Sequence, residues 1–591
     1  MAPQFGTDYA PFDADAAQLR DFIAPRVAQL AAFDSEVADL LRKVDHIHRE
    51  RQALVDEIKP CMALLSPIRR MPEEVLREIF LACLPHDRNC VMSRREAPVL
   101  LGQVCSLWRN IAFSTPALWT KLHIVEPGSM SVGKLVSPTR GGVILLDNLA
   151  VAFETPNPPR HTISLLVARR IRGLNEWLSR SGVLPLSISF RGSQERRDAL
   201  DNIPNLPTEL FMRAICAYSR RWQDLHLRFL QTMAFSIALS HLEAEDVPLL
   251  RNLSLTQGGS STFLPEIPWL AFRLFAAPSL RRLSYSGHGH FLGDLLVAWS
   301  QLLYLRVDYQ SAPRHGLQVP KTEKLLQVIQ RCTFLQTLVL NIDDDPRTSD
   351  AQFGGINGSG VELPSLRSFT LHVLHSCSRV PMLLGAMRIP KLQELSMVFD
   401  DPGLSQLLDL ASGIIQLVES ATELQSFEFS SYGFAPAAVV RILEALPSTL
   451  RHLSVIESTR PCWMREGDPG TGMGGVLDQP LTDAVLEALV PKPGSPAEPY
   501  ACPRLETLSL RNCLVLSDRA ILALVCARTQ SVAPLRKFEI SFHRNAELDS
   551  ELEAELEASA ERGPGLQFVV DYSPSVELSP LLSPWIDTDS M

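Results

Sequence analysis

No stretch of this 591-residue sequence reaches the ~18 consecutive apolar residues that a membrane-spanning helix needs. Paired cysteines are missing too: 11 thiols, an odd number, are scattered from Cys61 to Cys526 without a disulfide or metal spacing. A basic excess is absent. The net charge of −10 gives no global attraction to nucleic acid or to an anionic membrane surface. The N-terminus, MAPQFGTDYAPFDADAAQ, lacks the basic-then-apolar order of a signal peptide. Together these absences predict a cytoplasmic and/or nuclear protein without nucleic-acid or membrane partners.

Catalytic signatures are equally scarce. There is no Gly-x-Ser-x-Gly, no His-Glu-x-x-His and no cysteine nucleophile in a recognisable setting. The glycines of GTGMGG (470–475) are not followed by Lys-Ser/Thr, so they read as loop, not phosphate cradle. Cys83, His86 and Cys90 are the best metal-ligand candidates. They lack a nearby fourth ligand, which Cys105 could supply only through long-range folding. His46 and His48 are two residues apart and point to different faces of a helix. No metal, cofactor or catalytic residue is therefore expected, and the chain reads as a non-enzyme.

What is present is pattern. After a disordered stretch expected over 1–17, a helix over 18–60 carries Ile23, Leu30, Phe33, Val37, Leu40, Val44, Ile47, Leu54 and Ile58 at heptad offsets, broken by Arg26 and Arg51. Such a seam wants a second helix. Packing on its own protein and self-association through 23–58 both remain open at this point. Pro60 is the expected end of the helix.

A compact helical segment follows over 64–122. Pro72 starts a helix whose Val75, Leu76, Ile79, Phe80 and Cys83 share one face. A second helical run places Leu101, Val104, Cys105, Trp108 and Ala112 on one face. Trp119, Leu122 and Ile124 then alternate like a strand.

From 123 to 571 the sequence repeats a unit of the form apolar-x-x-apolar-x-apolar, as in PLLRNLSL, PSLRRLSY, PKLQELSM and PRLETLSL. Its first apolar residue recurs at Trp222, Leu250, Leu280, Leu302, Leu335, Leu366, Leu392, Leu424, Leu450, Leu505, Leu535 and Leu566. Those anchors are 22 to 33 residues apart, save one gap of 55 that holds a Gly/Pro-rich insertion at 457–480. Earlier copies are expected in 117–124 and 181–190. Amphipathic stretches such as EKLLQVIQRC and AAVVRILEAL lie between. A strand and a helix about every 30 residues predict an α/β fold, a curved solenoid. The tail 572–591, with Ser573, Ser579 and Ser583 before prolines, is expected to be disordered.

Residues between the buried leucines of each strand should form the open face. These are His226, Ser254, Ser284, Arg306, Val339, Thr370, Ser396, Glu428, Ser454, Ser509 and Glu539. Their mixed signs do not make the Lys/Arg stripe of a nucleic-acid reader. Arg228, Arg306, Asp308 and Arg511 are the charged candidates for contact with a protein substrate.

Met71-Pro72, Ile79-Phe80, Val104-Cys105 with Trp108, and Leu118-Trp119 occupy, in order, the characteristic places of the F-box, so segment 71–122 resembles that motif. Two departures are Met71 in place of the usual leucine and a longer loop at 85–96. The whole layout is similar to F-box proteins of mushroom-forming (basidiomycete) fungi, which share a heptad helix, an LSPIRRLP-like lead-in and a leucine-rich-repeat tail. The resemblance implies a substrate-recognition subunit of an SCF-type cullin–RING ubiquitin ligase. Pro72, Leu76, Ile79, Phe80, Leu101, Val104, Cys105, Trp108 and Trp119 would bind a Skp-type adaptor, and through it cullin. The other reading of the residues is a leucine-rich-repeat scaffold with no role in ubiquitylation. A leucine-rich-repeat immune sensor is disfavoured for want of a nucleotide-binding loop.

Overall fold

The computed structural model describes residues 12–126, 145–146, 149–150, 160–192, 206–229, 237–257, 272–287, 292–309, 322–342, 360–373, 380–399, 407–431, 433–457, 481–491, 500–513, 516–529, 534–542 and 566–571. The Ser-Pro tail, nearly all of the Gly/Pro-rich insertion and residues 1–11 lie outside that set. The chain divides into two compact units, 1–79 and 80–591.

The first unit is dominated by α1 (Asp13–Leu65), 53 residues long. It differs from expectation at both ends. Asp13 to Ala17, expected to be disordered, are already helical, and the helix runs past Pro60 for a further turn. A proline inside a helix removes one backbone hydrogen bond. The run Met62-Ala63-Leu64-Leu65 has helix propensity enough to continue beyond it. The stop comes at Ser66, whose ψ of 126° is the extended conformation forced on a residue before proline. Pro67–Arg70 make a 3-10 turn, and α2 (Glu73–Ala82) begins directly after Pro72, with Glu73 and Glu74 in its first turn favouring the helix dipole.

The second unit carries one 14-stranded sheet, parallel throughout. In chain order its strands are β1 (Lys121–Val125), β2 (Leu186–Arg191), β3 (Trp222–Phe229), β4 (Asn252–Gln257), β5 (Arg282–Gly287), β6 (Tyr304–Tyr309) and β7 (Thr337–Ile342), followed by β8 (Ser368–Val373), β9 (Glu394–Phe399), β10 (Ser426–Ser430), β11 (His452–Ile456), β12 (Thr507–Cys513), β13 (Lys537–Phe542) and β14 (Gln567–Asp571). Each strand pairs only with the preceding and the next of the series. That is the arrangement a ~30-residue repeat predicts for a solenoid. The two earlier copies expected in 117–124 and 181–190 are the first two strands.

Every anchor residue is buried. Just beyond it lies a feature the pattern does not announce. The carbonyl of the next residue accepts backbone N–H bonds from the following repeat. Arg251 N–H donates to Gln223 O at 2.8 Å, Arg281 and Arg282 both donate to Arg251 O, and Leu303 and Tyr304 both donate to Arg281 O. The relay continues through Leu303, Gln336, Arg367, Gln393, Gln425, Arg451, Glu506 and Arg536. Adjacent repeats are thereby joined at the start of their strands by backbone bonds as well as by buried leucines.

Between strands the expected helices form at α7 (Thr322–Arg331), α9 (Leu407–Ser420), α10 (Pro436–Ala445), α11 (Asp483–Glu487) and α12 (Asp518–Thr529); α5 (Arg160–Arg180), α6 (Leu206–Cys216) and α8 (Val380–Ala386) occur as well. From β3 to β6, among the described residues, 3-10 turns such as Arg273–Ala276 and Trp299–Gln301 stand where later repeats have longer helices.

Candidate functional site

Two surfaces carry the residues singled out by the sequence: the helical segment before β1, and the open face of the sheet.

The helical run over 101–112 is divided at Cys105. Its backbone is extended (φ −159°, ψ 173°), so α3 (Leu101–Val104) and α4 (Ser106–Ser114) are separate helices. The cysteine caps α4, its Sγ accepting the Trp108 N–H at 3.4 Å. Cysteine is a weak acceptor, and nothing in its periodicity marks it as a break. After α4, Pro116–Trp119 form a 3-10 turn, so strand β1 starts later than the alternation from Trp119 suggests.

Of the nine residues expected to contact an adaptor, four are core. Leu76, Phe80, Leu101 and Trp119 are at most 5% exposed. Phe80 packs on Trp108, ring centroids 4.8 Å apart. Trp119 donates its indole N–H to Ala112 O at 2.8 Å and meets Trp177 of α5 edge-on, also at 4.8 Å. Arg180 of α5 lies over both Phe113 and Trp119. Ile79, Cys105 and Trp108 are half-buried, while Pro72 and Val104 are exposed. Phe80 and Trp108 are therefore spent on packing within the segment, and Trp119 on packing against α5.

The exposed apolar surface lies beside them. Leu100, Val104 and Leu107 are 44, 56 and 49% exposed; Leu100 and Val104 are four apart around α3, and Leu107 lies in the first turn of α4, beyond the extended Cys105. Only Val104 was singled out in the sequence, because the stronger face through Leu101 and Trp108 obscured the other two. On α2, Val75 is exposed as well.

The long loop 85–96 is ordered by charge. Arg88 makes a two-pronged ion pair with Glu96 at 3.1 and 2.6 Å, and Glu96 also accepts the Val91 N–H at 3.0 Å. The loop joins the sheet edge: the His123 N–H donates to Cys90 O at 2.7 Å, and Val91 bridges His123 in parallel. Asn89 donates to Ser189 Oγ, which also lies 2.9 Å from His123 Nδ1. Burial, then Arg191 and Arg88, pushes His123 down to about 4. Burial pushes the Cys90 thiol up to about 11. Cys83 and His86 are exposed while Cys90 is buried, and no group of three ligand-type side chains comes together among the described residues. Histidines 46 and 48 are exposed on α1.

On the sheet, the eleven expected open-face positions form one row, but Val339 and Ser509, expected to be open, are buried. His226 is in register with Ser254, then Ser284, Arg306, Val339 and Thr370, and onward through Ser396, Glu428, Ser454, Ser509 and Glu539. His123 and Ser189 extend it at one end and Val569 at the other. The four charged candidates do not converge. Arg306 Nε pairs with Asp308 Oδ2 at 3.1 Å on β6, and Asn341 donates to the other carboxylate oxygen. Burial raises the Asp308 carboxyl, against the lowering effect of Arg306 and Asn341. Arg228 lies three strands away on β3 and Arg511 six strands away on β12, about 14 and 29 Å along the sheet at ~4.8 Å per strand. Glu428 was not a candidate, yet its carboxylate accepts from Ser396 Oγ at 3.1 Å and Ser454 Oγ at 3.5 Å, one hydroxyl on each neighbouring strand.

No family model matches the chain, and no curated protein matches it. Among solved structures, a Bacteroides fragilis protein is 13% identical with a TM-score of 0.24, covering 50% of this chain and 67% of that one. A TLR13 chain from a TLR13–ssRNA13 complex is 12% identical with a TM-score of 0.27, covering 60% of this chain and 46% of its own. Similarity at that level carries no argument about function. Among the described residues, no helix is long and apolar enough to cross a membrane.

Proposed function

We propose that this chain is the substrate-recognition subunit of an SCF-type cullin–RING ubiquitin ligase, a leucine-rich-repeat-like receptor of the cytoplasm and/or nucleus. Segment 71–122 docks a Skp-type adaptor, and the open sheet face holds a protein substrate. The observation that carries the reading is the exposure of Leu100, Val104 and Leu107: three apolar side chains about half exposed within eight residues, beside the buried Leu101 of α3 and Ile111 of α4. Exposed apolar surface grouped in this way marks an interaction site. Besides Val104, the proposed adaptor-binding residues are Pro72, Leu76, Ile79, Phe80, Leu101, Cys105, Trp108 and Trp119. The chain supplies no bond chemistry. It raises the effective concentration of substrate beside the catalytic subunits.

A second reading, a repeat scaffold without a ligase role, is favoured by the ties between loop 85–96 and β1, which suit a cap on the sheet edge. Co-purification of the full chain with a Skp adaptor, beside Val104→Asp/Leu107→Asp, separates the two. Binding by the wild type, lost in a variant of unchanged melting temperature, supports the receptor. A folded wild type that does not bind leaves the scaffold.

A further inference from the structure

The seam of α1 is bare. Val37, Leu40, Val44 and Ile47 are 47 to 62% exposed, and the apolar positions on either side of them are comparably open. We propose that α1 pairs with the α1 of a second copy of this chain as a parallel, in-register, two-stranded coiled coil.

Three features select that occupant. The first is the distribution of branched side chains. With Ile23 at a, the other a positions are Leu30, Val37, Val44, Arg51 and Ile58, so four of the six are β-branched. The d positions hold Phe33, Leu40, Ile47 and Leu54 after Arg26. β-Branched a residues with leucine at d, here Leu40 and Leu54, suit a parallel dimer over higher oligomers, Ile47 being the β-branched exception at d. The second feature is charge. A parallel pair sets each g position against the e′ position five residues on: Gln29 with Asp34, Glu36 with Leu41, Lys43 with His48, Glu50 with Val55, Glu57 with Met62. Across these g–e′ pairs no two acids and no two lysine or arginine side chains oppose; at the a layer Arg51 faces Arg51 of the second copy. Arg51 at a lies next to the g position of the second copy, Glu50, an opposite charge that also pins the register. Arg26 at d is drawn off the seam, its guanidinium over its own Phe22 ring and bonded to Phe22 O at 2.7 Å. The third feature is size. A seam of about ten apolar layers buries on the order of 800 Å² per chain, the scale of a stable specific interface. Pro25 and Pro60 both fall at c, on the outer surface.

The inference stands apart from the adaptor reading, because the seam lies outside segment 71–122. Sedimentation of the full chain at micromolar concentration should give twice the 65.6 kDa chain mass. Val37→Lys/Val44→Lys should weaken the dimer by roughly 100-fold or more, since it buries like charges without partners. Ala31→Lys/Ala38→Lys, at the outer b positions, should leave it intact, with equal helicity by circular dichroism in both variants. Leu40→Cys in a Cys61→Ser background should cross-link on mild oxidation, because a parallel register brings the introduced thiols face to face; Cys61→Ser alone should not. A monomeric wild type, or a dimer that survives the seam lysines, overturns the proposal. A dimer without the position-40 cross-link overturns its parallel register.

Discussion

Arg528 is the most confined charge in the second unit, and its removal should loosen the last third of the sheet. It lies in the final turn of α12 with no solvent exposure. Its three guanidinium nitrogens serve three carbonyls: Nε to Leu489 O at 2.7 Å, Nη1 to Cys502 O at 2.9 Å, and Nη2 to Ala501 O at 2.8 Å. The guanidinium also lies 4.8 Å from the Tyr500 ring centroid. One side chain therefore ties the helix after β12 to the turn after α11 and to the approach to β12.

Cys502 O keeps the Leu505 N–H at 3.2 Å; leaving a buried acceptor unsatisfied costs about 1–3 kcal/mol, so the two orphaned carbonyls of Leu489 and Ala501 set a gross loss of roughly 2–6 kcal/mol. Releasing a desolvated cation offsets part of that, as the depressed Arg528 pKa indicates, and a net loss of about 2–4 kcal/mol is expected. Arg528→Met tests the hydrogen bonds while keeping most of the volume. Arg528→Lys should rescue only in part, because a point charge cannot match a three-pronged fork. A repeat array need not unfold in one step, so the assay is hydrogen exchange resolved by peptide. Protection should fall in 500–513 and 516–529 and hold in β3–β6. An Arg528→Met chain within about 1 kcal/mol of wild type at those peptides would refute the account.

Acidification should destabilise the N-terminal end of the sheet. His123 is held neutral with its pKa pushed down to about 4, so an unfolded chain with an ordinary histidine binds a proton first. The stabilisation is complete above pH ~6.5 and is lost as pH falls from there toward 4; His123→Gln should flatten the melting-temperature profile over that window. Two glycines should respond oppositely to alanine. A Cβ at Gly413 would stand 2.9 Å from Pro381 O and 3.0 Å from Pro381 Cα, backbone that α8 must move, at a cost of about 1–3 kcal/mol. At Gly173 it meets only the flexible Met92 sulfur at 3.3 Å, so thermal melting should rank Gly173→Ala near or above wild type. On the open face, Arg228, Arg306, Asp308 and Arg511 span ten strands, β3 to β12, so a ligand that engages all of them is extended. Their joint replacement by alanine should weaken binding of a co-purified client by more than any single change, and full retention would remove this face from the proposal.

The repeat was legible because its physics is local. An anchor leucine, a two-residue interval and alternating apolar residues recur, and each anchor is buried with its strand in register. The row from His226 to Glu539 could be written down because side-chain direction has period two. The site was less legible because one apolar spacing served two purposes. Leu101 and Val104 both fit a helical face, yet one is 5% and the other 56% exposed; the break at Cys105 turns the surface, and a weak sulfur cap gives little sequence signal. Pro60 misled for a related reason. Proline ends a helix only when its neighbours do not hold it, and Ser66-Pro67 was the stronger stop. Arg528 was invisible because its three acceptors are backbone carbonyls, which no residue pattern encodes.

That asymmetry has a physical basis. The repeats are held by buried leucines and by a relay of backbone bonds at the residue after each anchor. Neither constrains the side chain at the centre of the strand. Ser396 and Ser454 are satisfied there by Glu428, whereas the buried Ser509 hydroxyl has no hydrogen-bond partner, and Arg306, Val339 and Glu428 occupy equivalent register positions without disturbing the ladder. A surface decoupled in this way from the stability of its scaffold is free to specify a client. Its chemistry then has to be read position by position, starting with the Arg306–Asp308 pair and the serine-flanked Glu428.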